Sequence, residues 1–320
     1  MTLLEVRNLK VVYYTRKGIV KAVNGLNFEI KNSEVFGLAG ESGCGKSTVA
    51  LSILRILPPN ARVLDGSIFF QGRNLLDVPE DEMRHIRWNK ISLVFQGAMN
   101  AFNPVQTVGN QIIEAIMLHK KDIDKREAWH IAENLFTKVK LDPSFLRRYP
   151  HEFSGGMKQR AMIAMALACN PNLIIADEPT TGLDVIVQAE ILRLLKDLKN
   201  EYDLSILIIS HDIPMLATLC DRLAIMYAGE LVEYADVRTL CTKPLHPYTR
   251  GLLRTLPTLD GDWQFTGEIL KGEPPSLIDP PPGCTFHPRC PISKELCKRK
   301  KPLLTEIEPE HYVACHSVIE

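Results

Sequence analysis

The segment Gly40-Glu-Ser-Gly-Cys-Gly-Lys-Ser-Thr48 constrains the fold of this chain more strongly than any other feature of its sequence. It follows a short apolar run at Val35–Ala39 and leads into a helical pattern that we expect to cover Lys46–Leu57. Glycines at this spacing let successive backbone N–H groups converge on phosphate oxygens at the start of a helix. The pattern therefore predicts a phosphate-binding loop, in which Lys46 reaches the β- and γ-phosphates of a nucleotide and Ser47 binds Mg²⁺.

Short apolar runs alternate with helical patterns before about residue 256, which is typical of an α/β domain with a mostly parallel sheet. Buried strands are predicted at Val35–Ala39, Ile91–Phe95, Leu173–Ala176 and Leu204–Ile209. Helices are predicted at Val108–His119 and Lys125–Lys138. A length of 320 residues suggests about two domains.

The charge balance and the hydropathy exclude several classes of protein. The chain has 38 basic and 38 acidic side chains, and its formal net charge of zero argues against a nucleic-acid partner, which usually requires a basic excess. No apolar run reaches the roughly 18 residues that span a bilayer. The first residues lack the apolar stretch of a signal peptide, so we expect a cytosolic chain, in which cysteines are more often ligands, nucleophiles or buried side chains than disulfides.

Two further motifs narrow the class of protein. Ser154-Gly155-Gly156 precedes a helical apolar run, so the serine and the two glycine N–H groups would form an anion cradle at a helix start. Asp177-Glu178 follows the apolar run of a predicted strand. Neighbouring strand residues point to opposite sides, so the two carboxylates should have different roles.

Together with the phosphate loop, these motifs resemble the ATP-binding-cassette (ABC) ATPases, over essentially residues 1–255. The resemblance implies a RecA-like, mostly parallel core, an antiparallel β region and a helical subdomain at about 97–160. It also implies that Asp177 holds Mg²⁺ and that Glu178 polarises the attacking water, a general-base role worth on the order of 10²–10⁴ in rate. In this family, the loop at Ser154 caps the γ-phosphate bound to a second ATPase subunit of a head-to-tail dimer.

The resemblance extends to four single residues. Gln96 resembles the Q-loop glutamine, which touches Mg²⁺ and the nucleophilic water, and His211 resembles the switch histidine, which contacts the γ-phosphate. Tyr13 resembles the aromatic side chain that stacks on adenine, with Tyr14 as its rival, because strand alternation lets only one of them face the base. Asp184 lies in a segment that resembles the D-loop at the dimer seam. The ATP contacts predicted in this way are Tyr13, Gly40, Ser42, Gly43, Cys44, Gly45, Lys46, Ser47, Thr48, Gln96 and His211, with Mg²⁺ at Ser47, Gln96 and Asp177.

Three segments favour one branch of the family. Val20–Val23, Phe95–Pro104 and His246–Leu253 resemble the oligopeptide/dipeptide importer ATPases, some relatives of which handle nickel or oligosaccharides. This resemblance implies a second ATPase subunit, identical or different, two separate permease subunits, an extracytoplasmic solute-binding protein, and a peripheral position on the cytoplasmic face of the membrane. The competing hypothesis is a cytosolic ATP-dependent regulator, whose tail senses redox state or binds a partner.

The last quarter of the chain differs from the rest in composition. Residues 241–320 hold 12 of the 21 prolines and five of the eight cysteines, so we expect a small, loop-rich extension over 256–320. Four of these cysteines suggest a metal site, because a segment with little core of its own can gain folding free energy from bound metal. They are Cys284, Cys290, Cys297 and Cys315.

The cysteine spacing alone leaves two kinds of metal site open. Zinc sites usually contain C-x₂₋₄-C pairs, which are absent here, and His287 and His316 are alternative zinc ligands. A [4Fe–4S] cluster also takes four thiolates, commonly in loops. The resemblance to peptide-importer ATPases, whose tails hold an iron–sulfur cluster at this spacing, favours [4Fe–4S]. The remaining thiols, for which we expect ordinary packing, are Cys44, Cys169, Cys220 and Cys241.

Overall fold

The computed structural model describes residues 1–97, 101–253 and 270–319. The chain forms two compact units. The first contains Met1–Lys31, Val35–Asp77 and Ser210–Glu320, and the second contains Asn32–Glu34 and Val78–Ile209. The domain boundary that the sequence predicts near residue 255 lies outside the described residues.

Strands and helices are distributed over both units. The strands are β1 (Thr2–Thr15), β2 (Gly18–Lys31), β3 (Val35–Ala39), β4 (Ala61–Phe70), β5 (Arg73–Asn74), β6 (Ile91–Val94), β7 (Leu173–Asp177), β8 (Ser205–Ser210), β9 (Arg222–Tyr227), β10 (Glu230–Asp236), β11 (Thr305–Glu308) and β12 (His311–Val313). The helices are α1 (Lys46–Ile53), α2 (Glu80–Ile86), α3 (Val108–His119), α4 (Lys125–Lys138), α5 (Gly155–Leu167), α6 (Val185–Tyr202), α7 (Ile213–Leu219), α8 (Val237–Thr242), α9 (Pro247–Leu253), α10 (Glu295–Arg299) and α11 (His316–Ile319).

The first unit contains an antiparallel sheet and a group of mixed strands. The antiparallel sheet has the order β2-β1-β4-β5, and the long strands β1 and β2 bury side chains such as Leu4, Leu9 and Ile30 completely. In the mixed group, β3 is parallel to β9, while β10 is antiparallel to both β9 and β12. The tail strand β12 therefore pairs with β10 and extends these mixed strands.

A buried carboxylate fixes this pairing of the tail. Glu233 of β10 is fully buried, and its two carboxylate oxygens accept the backbone N–H groups of Leu245 and His246. The ring Nε2 of His311, on β12, lies 2.8 Å from Glu233 Oε1. A buried carboxylate needs such partners because an unpaired one costs far too much desolvation free energy.

The second unit contains a parallel group of strands and the longer helices. Strands β6, β7 and β8 are parallel neighbours in this order. The last residue of β8, Ser210, is assigned to the first unit. Every residue of β7 and β8 is buried, as expected for parallel strands that are covered on both faces. No helix among the described residues has the length and apolar character that a bilayer crossing requires.

The predicted strands agree with the structure to within one residue at either end, and α3 and α4 have the predicted bounds. One helix prediction was wrong. Helix α1 ends at Ile53 rather than Leu57, because Arg55 has a left-handed backbone with φ of 53°. The tail contains short helices and strands between its loops.

Candidate nucleotide-binding site

The predicted phosphate loop connects β3 to α1, and its backbone packs against neighbouring main chain. Gly45 has φ of 106°, and a Cβ atom there would lie only 2.1 Å from the carbonyl oxygen of Ala22. A Cβ atom on Gly40 would similarly lie 2.2 Å from the carbonyl oxygen of Met226. Glycine is therefore required at both positions for steric reasons.

The start of α1 has the geometry of an anion site. Its N-cap is Gly45, and within the described part of the chain no side chain caps the helix. The first N–H groups of a helix lack intrahelical partners and attract anions through the helix dipole. The N–H groups of Lys46, Ser47 and Thr48 are thus arranged to meet a phosphate.

The side chain of Lys46 is buried inside the loop. Its Nζ donates to the carbonyl oxygens of Gly40, at 2.8 Å, and Glu41, at 3.0 Å, and lies 3.7 Å from Cys44 Sγ. Burial raises the pKa of the Cys44 thiol, so this thiol is a neutral neighbour at physiological pH. Lys46 therefore carries the positive charge at the centre of the loop.

The two candidate adenine-stacking residues are in different surroundings. The Tyr13 hydroxyl lies 3.1 Å from the Thr48 hydroxyl on α1, so this side chain is on the same side as the phosphate loop. Tyr14 is about half exposed. The contact with α1 favours Tyr13 over Tyr14.

The carboxylates of Asp177 and Glu178 differ in placement because the backbone changes conformation at the end of β7. Asp177 is the last residue of β7 and is buried. Glu178 comes after the strand end and has a left-handed backbone with φ of 47°, so strand alternation is not the cause of their different placement. Glu178 Oε2 accepts hydrogen bonds from Gln96 Nε2, at 2.7 Å, and from Thr181 Oγ1, at 2.9 Å.

Ser154 and Asp184 each begin a helix. The Ser154 hydroxyl caps α5 by accepting the N–H of Met157, so Gly155 and Gly156 are the first two residues of that helix. Asp184 caps α6 by accepting the N–H of Val187. The predicted anion cradle therefore lies at a true helix N-terminus.

The predicted site residues are divided between the units. Tyr13, the loop residues Gly40, Ser42, Gly43, Cys44, Gly45, Lys46, Ser47 and Thr48, and His211 belong to the first unit. Gln96, Asp177, Glu178, Ser154, Gly155, Gly156 and Asp184 belong to the second. The His211 side chain is exposed, just before α7.

The four tail cysteines lie close enough to interact electrostatically. Burial, and to a smaller extent the neighbouring thiols of Cys297, Cys290 and Cys315, raise the pKa of the Cys284 thiol to about 12. The backbone N–H of Cys284 also donates to the carbonyl of Cys297. Among the described residues, no group of three or more Cys, His, Asp or Glu side chains is close enough to hold one metal ion.

The two histidines considered as zinc ligands have other partners. His287 Nδ1 lies 3.0 Å from the carbonyl oxygen of Cys284, and His316 Nε2 lies 2.8 Å from that of Lys300. These backbone contacts orient the rings as structural groups within the tail.

One contact between the tail and the phosphate loop is absent from the sequence-based predictions. Arg289 forms a two-pronged ion pair with Glu41, the second residue of the loop, and this hydrogen-bonded pairing raises the Arg289 pKa well above its usual range. The two residues are far apart in sequence, so no spacing rule could have predicted their contact.

The loop, the carboxylate pair and the serine–glycine helix start define a class of protein, the ATP-hydrolysing cassette of ABC transporters. A family model described as ABC transporter matches residues 23–181, and one described as oligopeptide/dipeptide transporter, C-terminal region, matches 232–297. The chain belongs to the ABC transporter family, among its oligopeptide/dipeptide-type ATP-binding proteins. The predicted fold class and ATPase activity are thereby confirmed.

Similar proteins include transport ATP-binding proteins that match almost the whole chain and a solved structure that matches about three quarters of it. The probable peptide ABC transporter ATP-binding protein y4tR of Sinorhizobium fredii is 47% identical over 98% of this chain and 94% of its own length. The oligopeptide transport ATP-binding protein OppD of Escherichia coli is 44% identical over 99% and 94%, respectively. The ATP-binding cassette MJ0796, in a dimeric structure bound to ADP and Pi, is 28% identical with a TM-score of 0.66, covering 73% of this chain and 99% of its own.

Proposed function

We propose that this chain is the ATPase subunit of an importer that takes up dipeptides or oligopeptides through separate permease subunits. The observation that carries this proposal is the similarity to peptide-transport ATP-binding proteins over nearly the whole chain, including the tail. The tail matters because the oligopeptide/dipeptide transporter model matches residues 232–297, whereas the model that matches the cassette is described only as ABC transporter. Residues 1–255 would form the cassette, with its helical subdomain at about 97–160, and residues 256–320 the importer-type extension.

The residues of the first unit suit the binding of ATP. The loop N–H groups and Lys46 would hold the phosphates, Tyr13 would stack on adenine, and His211 would contact the γ-phosphate. Mg²⁺ would be held by Ser47, Gln96 and Asp177, whose hydroxyl, amide and carboxylate oxygens are the hard ligands that this ion prefers. When bound, Mg²⁺ would neutralise charge that develops on the phosphates.

Glu178 is the proposed general base for the attacking water. Its Oε2 is held by donors from Gln96 and Thr181, which orient the carboxylate and stabilise its charged form. A general base must be fixed within hydrogen-bond reach of its water, and the two donors supply this fixation.

The proposed dimer would be assembled head to tail. Ser154, Gly155, Gly156 and Asp184 would face the ATP or the seam of a second cassette, identical or different. Val185 and Ile186, at the start of α6, are 80% and 74% exposed, and neighbouring exposed apolar side chains favour a covered surface. Two permeases and an extracytoplasmic solute-binding protein would complete the importer, with this subunit peripheral on the cytoplasmic face.

ATP-driven uptake by the complex tests this function. Vesicles that contain the chain and its candidate permeases should take up a labelled peptide only with ATP, and nickel or oligosaccharide should not compete. Glu178→Gln should keep ATP binding, lose turnover by about 10²-fold or more and accumulate the closed dimer. Unchanged hydrolysis in this variant would exclude Glu178 as the base, and hydrolysis without uptake would favour a regulator.

We also propose that Cys284, Cys290, Cys297 and Cys315 hold a [4Fe–4S] cluster. The four thiols interact electrostatically, which supports one shared site. A [4Fe–4S] cluster takes four thiolates, commonly in loops, and the C-x₂₋₄-C pairs that are usual in zinc sites are absent from the tail.

Metal analysis separates the two kinds of site. Protein purified without oxygen should be brown, with broad absorbance near about 400 nm and about four iron and four sulfide per chain. Cys290→Ser should lose iron, whereas Cys169→Ser, a change at a buried thiol outside the tail, should retain it. Colourless protein with stoichiometric zinc would contradict the cluster.

A further inference from the structure

Arg289 in the tail is buried by its partners and uses all three guanidinium nitrogens. Nη1 and Nη2 donate to the two carboxylate oxygens of Glu41, at 2.7 and 3.0 Å, and Nε donates to the carbonyl of Lys271. Nη1 also donates to the Tyr227 hydroxyl, whose ring the guanidinium covers at 5.6 Å. The Arg289 side chain is only 6% exposed, so this pair is far less screened than a surface ion pair.

The backbone of Glu41, the second residue of the phosphate loop, also forms two hydrogen bonds. Its carbonyl oxygen accepts a hydrogen bond from Lys46 Nζ, and its N–H donates to the Tyr248 hydroxyl at 3.1 Å. The carboxylate that Arg289 holds therefore belongs to a residue in direct contact with the loop lysine. Its position and its charge both bear on the phosphate site.

Three packed aromatic rings hold the tail segment that carries Arg289 in place. Phe286, three residues before Arg289, packs against Tyr227 and Tyr248 with ring centroids 5.2 and 5.4 Å apart. The rings of Tyr227 and Tyr248 are themselves 4.6 Å apart. All three rings are almost fully buried, so the tail segment that carries Arg289 is held firmly against the loop.

We propose that Arg289 is a positioning residue for ATP, which neutralises the carboxylate of Glu41 and holds it away from the phosphates. A phosphate loop works through positive charge, so an uncompensated carboxylate within it would repel the nucleotide. Arg289 cancels that repulsion from outside the cassette motifs. The inference rests on the proposed assignment of the loop as the ATP site, but it does not depend on the cluster proposed for the tail.

The test compares binding of a non-hydrolysable ATP analogue and steady-state ATPase activity in variants of the full chain. Arg289→Gln should weaken analogue binding and raise KM for ATP about five- to tenfold. We expect kcat to remain within about twofold, because the interaction is the same in the ground and transition states. Arg299→Gln is the matched control, since Arg299 is an exposed tail arginine paired only with Glu295 in the described structure.

Rescue distinguishes a charge effect from simple damage to the tail. Arg289→Gln combined with Glu41→Gln should return the analogue Kd to within about twofold of the wild type, because the repelling carboxylate is gone. A double variant that binds as weakly as Arg289→Gln, or an Arg289→Gln protein with wild-type affinity, would overturn the proposal. Circular dichroism checks folding. If Arg289→Gln does not fold, Arg289→Lys is the second test: it keeps a positive charge beside Glu41, so analogue affinity should stay within about twofold of the wild type, and a five- to tenfold loss would overturn the charge effect.

Lys46→Ala separates this inference from the proposed function. Loss of analogue binding in Lys46→Ala together with wild-type affinity in Arg289→Gln would contradict the role of Arg289 alone. Retained binding in Lys46→Ala would instead contradict the assignment of the phosphate site itself.

Discussion

Glu178 has a backbone conformation that is costly for a residue with a side chain. A left-handed φ of 47° is typically unfavourable by about 1–2 kcal/mol outside glycine. Its N–H donates to the carbonyl of Ile209, and its carboxylate accepts donors from Gln96 and Thr181, which together offset this cost. Strained residues of this kind occur where function fixes a side chain, which agrees with the general-base role proposed for Glu178.

The Thr181 hydroxyl is expected to contribute to turnover. Thr181→Val keeps the side-chain shape but removes the donor to Glu178 Oε2, so the carboxylate becomes less well oriented. We expect kcat to fall about three- to tenfold with little change in KM for ATP. Thr137→Val removes an exposed hydroxyl on α4 and is the control. Wild-type kcat in Thr181→Val would show that Gln96 is a sufficient anchor.

The sequence predicts the identity of these residues but not their conformations. Asp177 and Glu178 could be recognised because an apolar run ends in two acids. The turn that separates them depends on the contact with Ile209, a residue of a different strand. Local sequence contains no signal for such a contact.

Helices whose caps are visible in the sequence were predicted best. Thr107 accepts the N–H of Asn110 at the start of α3, and Asp124 accepts that of Glu127 at the start of α4. These side chains are strong N-caps, and both helices have the predicted bounds. Helix α1 ends at Ile53, two residues before an arginine in the left-handed conformation, where glycine is the usual residue, so its end could not be predicted.

Helix α6 offers a test that separates capping from charge. Asp184→Ala removes the acceptor for the Val187 N–H and should lower the free energy of unfolding by about 1 kcal/mol. Asp184→Asn keeps an N-cap and should lie within a few tenths of a kcal/mol of the wild type. Urea denaturation measures both. Equal losses in the two variants would mean that the negative charge, rather than the cap, stabilises this helix start.

At the scale of the whole molecule, the contacts that attach the tail join residues far apart in the sequence. Glu41 meets Arg289, and Glu233 meets His311. Composition predicted that the last quarter of the chain is rich in loops and depends on a bound group. It could not predict that β12 pairs with β10, because strand partners are chosen by the folded core and not by local pattern.

Acid should weaken the attachment of the tail. His246 is fully buried against Phe286, and burial lowers its pKa to about 4, with Glu233 raising it and Arg250 lowering it. When folding lowers the pKa of a histidine, the folded protein loses stability as the pH falls from about 6.5, the ordinary pKa of histidine, to about 4. The free energy of unfolding should therefore fall over this pH range, and His246 should account for up to about 3 kcal/mol of the loss. Above pH 6.5, His246 should contribute no pH dependence.

Substitution tests the assignment of this acid sensitivity to His246. Asn at position 246 can still accept the N–H of Tyr248, which His246 Nδ1 accepts at 3.0 Å, but does not titrate. His246→Asn should flatten the pH dependence of the urea midpoint between pH 6.5 and 4. His130→Asn, at a histidine that is 72% exposed, should leave it unchanged. An unaltered pH profile in His246→Asn would assign the sensitivity to other groups.

The pairing of β12 with β10 also sets an order of events during synthesis. Until His311–Val313 has left the ribosome, β10 has an open edge, and the buried carboxylate of Glu233 lacks its histidine partner. The nascent cassette would then present an unpaired strand, which is the kind of surface that chaperones shield and that drives aggregation. A chain stopped before residue 311 should therefore keep this strand edge unpaired even though every nucleotide-binding motif has already been translated.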